Sequence, residues 1–218
     1  EMQRSLVGSE MCIRDRCFYM AFDGITIAAM VKELHLNLDG GRFNKIAQPE
    51  ADELLITGKG ANGQCRLLLS ASASLPLIYF TSKNKPSPMT APNFCMLLRK
   101  HIGSARISDI RQPGMERVVM FELEHLNELG DPCKKVLIME LMGKHSNIIF
   151  CDDKGMILDS IKHVSSHMSS VREVLPGREY FIPKTQDKLD PLTVSEEEFC
   201  DVCLLYTSPS PRDYAASR

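Results

Sequence analysis

The chain has 218 residues, with 26 Lys+Arg against 28 Asp+Glu, 44% apolar and 25% charged residues, eight Cys and no Trp. That length supports one large domain with a buried core, or one domain and the start of another, and the ordinary charged and apolar fractions exclude collagen-like, coiled-coil and disordered classes. No run of eighteen apolar residues is available to span a membrane, and the net charge of −2 is no pointer to nucleic acid.

Residues 1–19 carry neither helix periodicity nor strand alternation, and no apolar core suited to a signal peptide. Leu6-Val-Gly-Ser-Glu-Met-Cys-Ile-Arg-Asp-Arg16 and Cys203-Leu-Leu-Tyr-Thr-Ser-Pro-Ser-Pro-Arg-Asp213 look like translations of opposite strands of one sequencing-library transposase adapter. The expected natural segment therefore runs from Met20 to about Val202, with 1–19 and most of 203–218 non-native. Within it Cys65, Cys95, Cys133, Cys151 and Cys200 are odd in number and far apart, which suits free thiols in a reducing cytoplasm.

Asp23-Gly24 opens the first periodic stretch, with Ile27, Met30, Val31, Leu34 and Leu38 at helical spacing. Asp23 is a natural N-cap and Gly40-Gly41 a natural stop. Short β-type runs follow over Arg42–Gln48, Glu53–Gly58, Cys65–Ser70 and Leu77–Thr81, and a loop over 83–89. Asn93–Ile102 reads as a second amphipathic helix closed by Gly103. A second set of strands is expected over Arg106–Gln112, Arg117–Leu126, Lys135–Met142, Asn147–Cys151 and Met156–His163, separated by turns such as Gln112-Pro-Gly. The resulting class is α+β, a mostly antiparallel sheet or β-sandwich with flanking helices. After it, Ser195-Glu-Glu-Glu reads as a capping box that opens a helix of another domain.

Few motifs point to chemistry by themselves. Gly58-Lys-Gly-Ala-Asn-Gly63 matches G-x-G-x-x-G, but strand-like residues follow it and no helix N-terminus is there to take a phosphate, so a hairpin turn is expected. His163-x-x-x-His167 lacks a second ligand pair for a metal. No Ser or Cys lies in a nucleophile-elbow context, so the residues contain no catalytic constellation, and no cofactor is implied. Glu116-Arg117 follows the Pro113-Gly114 turn and reads from its residues as an exposed turn edge. Lys144, His145 and Asn147 form a polar cluster between apolar strands that could aim donors at a phosphate. Arg99, Lys100, Lys162 and Arg172 add local positive charge.

Five ordered segments carry a more specific signal: Met20-Ala-Phe-Asp-Gly, Gly40-Gly-Arg-Phe-Asn-Lys-Ile, Phe94-Cys-Met-Leu-Leu-Arg-Lys-His-Ile, Met142-Gly-Lys-His-Ser-Asn-Ile-Ile, and Lys162-His-Val-Ser with Ser170-Val-Arg and Leu175-Pro-Gly. Together they closely resemble the N-terminal domain of the NFACT family, known in bacteria as fibronectin-binding protein A, over Met20–Pro191. A truncated helix-hairpin-helix domain would then begin at 192–202.

The resemblance implies a fold similar to the N-terminal domain of formamidopyrimidine-DNA glycosylase, without that enzyme's chemistry, because no proline amine follows Met20. It implies a cytoplasmic, non-enzymatic factor of ribosome quality control. Such a factor binds the obstructed large ribosomal subunit, with its stalled peptidyl-tRNA, and alanyl-tRNA, and promotes template-free alanine tailing of the nascent chain. Asp23 matches an acidic residue near the family's start, and Glu116-Arg117 matches its Asp-Arg motif for tRNA handling, with Glu here in place of Asp. The alternative is a surface adhesin for fibronectin or fibrinogen.

Overall fold

The computed structural model describes residues 22–126, 130–183, 190 and 193–206. Residues 1–19 and 207–218, most of the expected adapter-derived tails, lie outside the described residues. The chain divides into two units, 1–183 and 184–218.

In the first unit, α1 (Gly24–Leu38) starts where Asp23 accepts a hydrogen bond from the Thr26 amide, 2.7 Å away. Its Ile27, Leu34 and Leu38 are buried, at the helical spacing the sequence shows. The helix ends before Gly40, whose φ of +63° lies in the left-handed region that glycine tolerates without a Cβ clash. There follow β1 (Arg42–Glu50), β2 (Glu53–Gly60), β3 (Gly63–Ser70) and β4 (Leu77–Phe80), each antiparallel to the one before. Gly60 pairs with Gly63 across the two-residue turn Ala61-Asn62, so the glycine-rich motif is the expected hairpin turn. The sequence does not reveal why Gly60 is glycine. A Cβ there would stand 1.7 Å from the Asn37 carbonyl oxygen, because the C-terminal end of α1 lies directly on the hairpin.

Helix α2 (Asn93–Ile102) buries Phe94, Cys95, Leu98 and Ile102. Ser104, one residue past the expected Gly103 stop, carries a positive φ of 75°. Five more antiparallel strands follow: β5 (Arg106–Arg111), β6 (Val118–Leu126), β7 (Pro132–Glu140), β8 (Asn147–Asp152) and β9 (Ile157–Ser160). Strand β9 is shorter than its apolar run suggests: the Ile161 amide still donates to Ile148 O at 2.8 Å, and Lys162 is then held by the Asn147 side chain.

The strand order is β4-β3-β2-β1-β5-β6-β7-β8-β9. The expected antiparallel α+β architecture is therefore present, but the pairing makes one open nine-stranded sheet and not a sandwich of two. Its two meanders meet at a single pair, Arg42 opposite Arg106. Apolar side chains from both meanders (Phe43, Ile56 and Leu67 from one, Val119, Phe121 and Met139 from the other) join those of both helices in one core. Phe43 and Phe121 meet with ring centroids 6.2 Å apart. On the opposite face, Val118, Met120, Ile138 and Ile149 are covered by a strap formed by residues 164–182, through Val174, Tyr180 and Ile182. In the second unit, α3 (Glu196–Tyr206) opens with the expected capping box, in which the Ser195 hydroxyl accepts from the Glu198 amide at 3.2 Å and the Ser195 amide donates to the Glu198 carboxylate at 3.1 Å.

Candidate functional site

Asp23 and Glu116-Arg117 lie 93 positions apart in sequence and are brought together by one side chain. The Gln112 amide donates to the Gly24 carbonyl at 2.9 Å and to the Glu116 carbonyl at 2.8 Å, tying the start of α1 to the turn before β6. The approach is close enough that a Cβ at Gly24 would stand 2.4 Å from the Met115 carbonyl oxygen. The turn itself is fixed by the Glu116 amide donating to Pro113 O at 3.1 Å, and by Gly114 at φ +53°. Gln112 was not among the residues the sequence singles out. The available signal was a polar side chain set immediately before Pro-Gly, where it can brace a turn.

Arg117 O accepts from the Leu141 amide at 2.9 Å, which extends the β6–β7 ladder by one residue. The 3-10 turn Gly143–His145 leaves that same end of β7, so exposed Lys144 and His145 flank the Glu116-Arg117 turn. Glu116 is exposed and Arg117 half-buried. Among the described residues neither its carboxylate nor its guanidinium has a hydrogen-bond or ion-pair partner. An open guanidinium offers five N–H donors in a fork that fits a phosphate or a base edge, and the carboxylate beside it can accept from an amine or hydroxyl.

Other expected contacts serve the fold. The Arg99 Nε donates to Ile46 O at 2.7 Å, anchoring α2 to β1, and α2, with Lys100 in its last turn, leads to the opposite end of β5. Asn147 is buried; its amide donates to Lys162 O at 2.8 Å and its carbonyl accepts from the amides of Ile148 and Lys162. The Lys162 ammonium donates to Ala71 O and Ser146 O, one from each meander, and burial lowers its pKa. Arg172 is paired with fully buried Glu140 at 2.5 Å. Asn147, Lys162 and Arg172 thus have their donors engaged inside the protein, a correction to their expected availability for phosphate.

His163 is bonded to Asp159 at 2.7 Å, and no group of three or more metal-ligating side chains occurs among the described residues. The five described cysteines are free, and burial pushes the Cys151 thiol up to about 12. No described helix is long and apolar enough to cross a membrane.

The hydrogen bonds from Thr26 hold the Asp23 carboxyl below its usual pKa. A carboxylate lowered in the folded state contributes stability above its unfolded pKa and loses it as pH falls through the folded one. Amide exchange at Thr26 is therefore expected to be slow near neutrality and to lose its protection in acid faster than that of the buried strands. In Asp23→Ala that acid-dependent step should vanish.

The protein family described as NFACT N-terminal and middle domains matches residues 23–211. The Rqc2 homolog RqcH of Bacillus subtilis (strain 168) is 42% identical over 182 residues, covering 82% of this chain and 32% of that protein. The ribosome quality control complex subunit NEMF of Homo sapiens is 27% identical over 151 residues, 69% of this chain and 13% of that protein. The crystal structure of the N-terminal domain of fibronectin-binding protein PavA from Streptococcus pneumoniae superposes with a TM-score of 0.80 at 35% identity, covering 85% of this chain and 69% of that one. The chain spans about a third of the length of the bacterial relatives it matches.

Proposed function

The chain belongs to the NFACT family, and from that premise we propose that it is the tRNA-engaging N-terminal part of a ribosome quality-control factor. In this reading the whole protein works in the cytoplasm on the large ribosomal subunit carrying a stalled peptidyl-tRNA, and supports template-free alanine tailing of the nascent chain. The observation that carries the reading is the unpartnered Glu116-Arg117 pair fixed against the capped start of α1 by Gln112. Arg117 grips phosphate or a base edge and Glu116 sets the direction of approach. Neither makes or breaks a covalent bond, so the protein positions tRNA and peptide transfer belongs to the ribosome.

Titration of the chain with total tRNA tests this. Losing one charge-assisted contact of about 1.5–3 kcal/mol should make Arg117→Ala bind roughly ten- to a hundred-fold more weakly at low salt. Glu116→Asp should retain binding. Equal affinities of Arg117→Ala and the unsubstituted chain would remove Arg117 from the reading. A second reading, attachment to fibronectin, is favoured by the similarity to PavA. Binding to immobilised fibronectin by a chain that ignores tRNA would put it first.

A further inference from the structure

The strand register lines up a charge row that the sequence hides. Lys59 on β2 stands opposite Arg42 on β1, and Arg42 stands opposite Arg106 on β5, across the seam between the meanders. Directly opposed residues share a face, so three cations sit side by side about 4.8 Å apart on the face away from the core. All three are exposed, and none is in an ion pair among the described residues, although Glu124 stands opposite Arg106 on its far side. In the adjacent row on the same face, Lys45 stands opposite Thr57 and Thr57 opposite Arg66.

Like charges placed directly opposite in a ladder oppose folding. The other direct like-charge oppositions in the sheet are acidic, Asp109 opposite Glu122 and Glu50 opposite Glu53, and the cations of β5–β7 face acids. Arg106 meets Glu124 on its other side, Lys134 pairs with Glu124 at 3.4 Å, Arg111 pairs with Glu122 at 2.7 Å, and Lys135 stands opposite Asp152. Among the described strands, only from β2 to β5 do cations stand directly opposite one another, in a chain whose net charge is negative.

We propose that the Lys59–Arg42–Arg106 row is a second nucleic-acid contact, one that takes the phosphate backbone of the tRNA held at Glu116-Arg117. Charge complementarity carries the polyanion, and the even row of cations suits backbone contacts that position a helix without reading bases. The choice of tRNA rests on the function proposed above. Helix α1 separates the two places: its 15 residues span about 22 Å from Asp23 to the Gly40-Gly41 turn that leads into Arg42. One structured RNA can therefore touch both.

The experiment is a salt series of tRNA binding by the chain, comparing the unsubstituted protein, Arg117→Ala, and Lys59→Gln, Arg42→Gln and Arg106→Gln singly and combined. Each lost phosphate contact should lower the slope of log affinity against log salt by about 1. The triple variant should thus lose two to three units of slope, with a thermal midpoint unchanged or raised by relief of repulsion. If the triple variant does not fold, the single variants carry the same comparison.

Unchanged slope and affinity in folded row variants overturn the proposal. If Arg117→Ala is weakened in that same series, the tRNA reading survives without the row. Row variants weakened while Arg117→Ala is normal uphold the row and remove the Glu116-Arg117 site. No tRNA binding by the unsubstituted chain at low salt also overturns the proposal, as does row-dependent binding to phosphatidylglycerol vesicles with tRNA binding unaffected.

Discussion

Glu140→Ala is expected to destabilise the first unit by about 3–5 kcal/mol, the cost of leaving a buried charge without its partner. Glu140 has no exposed surface and its partner Arg172 is only 11% exposed. The Arg172 guanidinium donates to one carboxylate oxygen, and the Tyr180 hydroxyl donates to the other at 2.9 Å. A further Arg172 nitrogen donates to Phe181 O at 2.9 Å, and the guanidinium lies 5.7 Å from the Tyr180 ring centroid. Removing the carboxylate strands a buried cation and a buried phenol together. The pair itself gains little over apolar packing, since both ions lose their water. Glu140→Leu combined with Arg172→Met should therefore recover much of the loss. Urea unfolding of Glu140→Leu, of Arg172→Met and of the double variant measures the coupling. Additive losses would mean that the two side chains do not act as a pair. Because both Arg172 and Tyr180 sit in the 164–182 strap, Glu140→Ala should also free that strap to proteolysis before the sheet unfolds.

Gly60→Ala should cost about 3 kcal/mol, at the upper end of overpacking effects. The added methyl would enter the Asn37 carbonyl oxygen, and a backbone oxygen at the end of α1 has no rotamer through which to yield. Relief requires the helix to lift off the β2–β3 hairpin. Gly155→Ala is the comparison: φ there is +80° and nothing lies within 4 Å of the new Cβ, so only backbone strain of about 1 kcal/mol remains. Thermal unfolding of both variants separates the two causes. Similar losses would show that the end of α1 yields to the methyl, since Gly60 has no positive φ to strain.

The elements themselves were written plainly in the sequence, because each follows from a local rule. Asp23 caps α1, and apolar residues at 27, 34 and 38 face the core as their spacing requires. The glycine-rich segment behaves as a hairpin because strand residues flank it. The union of the strands was less legible. Whether two meanders stack or join depends on the short seam around Arg42 and Arg106, with the Phe43, Ser104 and Ile107 amides bonded across it, and no local pattern encodes a pairing between residues 64 positions apart.

The candidate site was visible by family resemblance and only partly by chemistry. The backbones beside Asp23 and at Glu116 are tied together through Gln112, which no motif marks. Asn147, Lys162 and Arg172 carry the right groups for phosphate, and only the folded arrangement reveals that those groups are already occupied by carbonyls and a carboxylate. The cationic row was illegible for the converse reason: Arg42 and Lys59 lie in segments read for other features, and with Arg106 they become a row only through register.

The meander topology also bears on the order in which the molecule assembles. Within each meander every strand pairs with its immediate predecessor, so most ladders close over short stretches of chain, the condition for rapid formation. The Gln112 bridge to Gly24 closes a separation of 88 residues instead. Helix α1 leaves the ribosome first, with Ile27 and Leu34 lacking a complete core, and gains its bracket only after β5 and the turn before β6 have been made. The surface around Asp23 and Glu116 is therefore completed only after the first meander and β5 have left the ribosome.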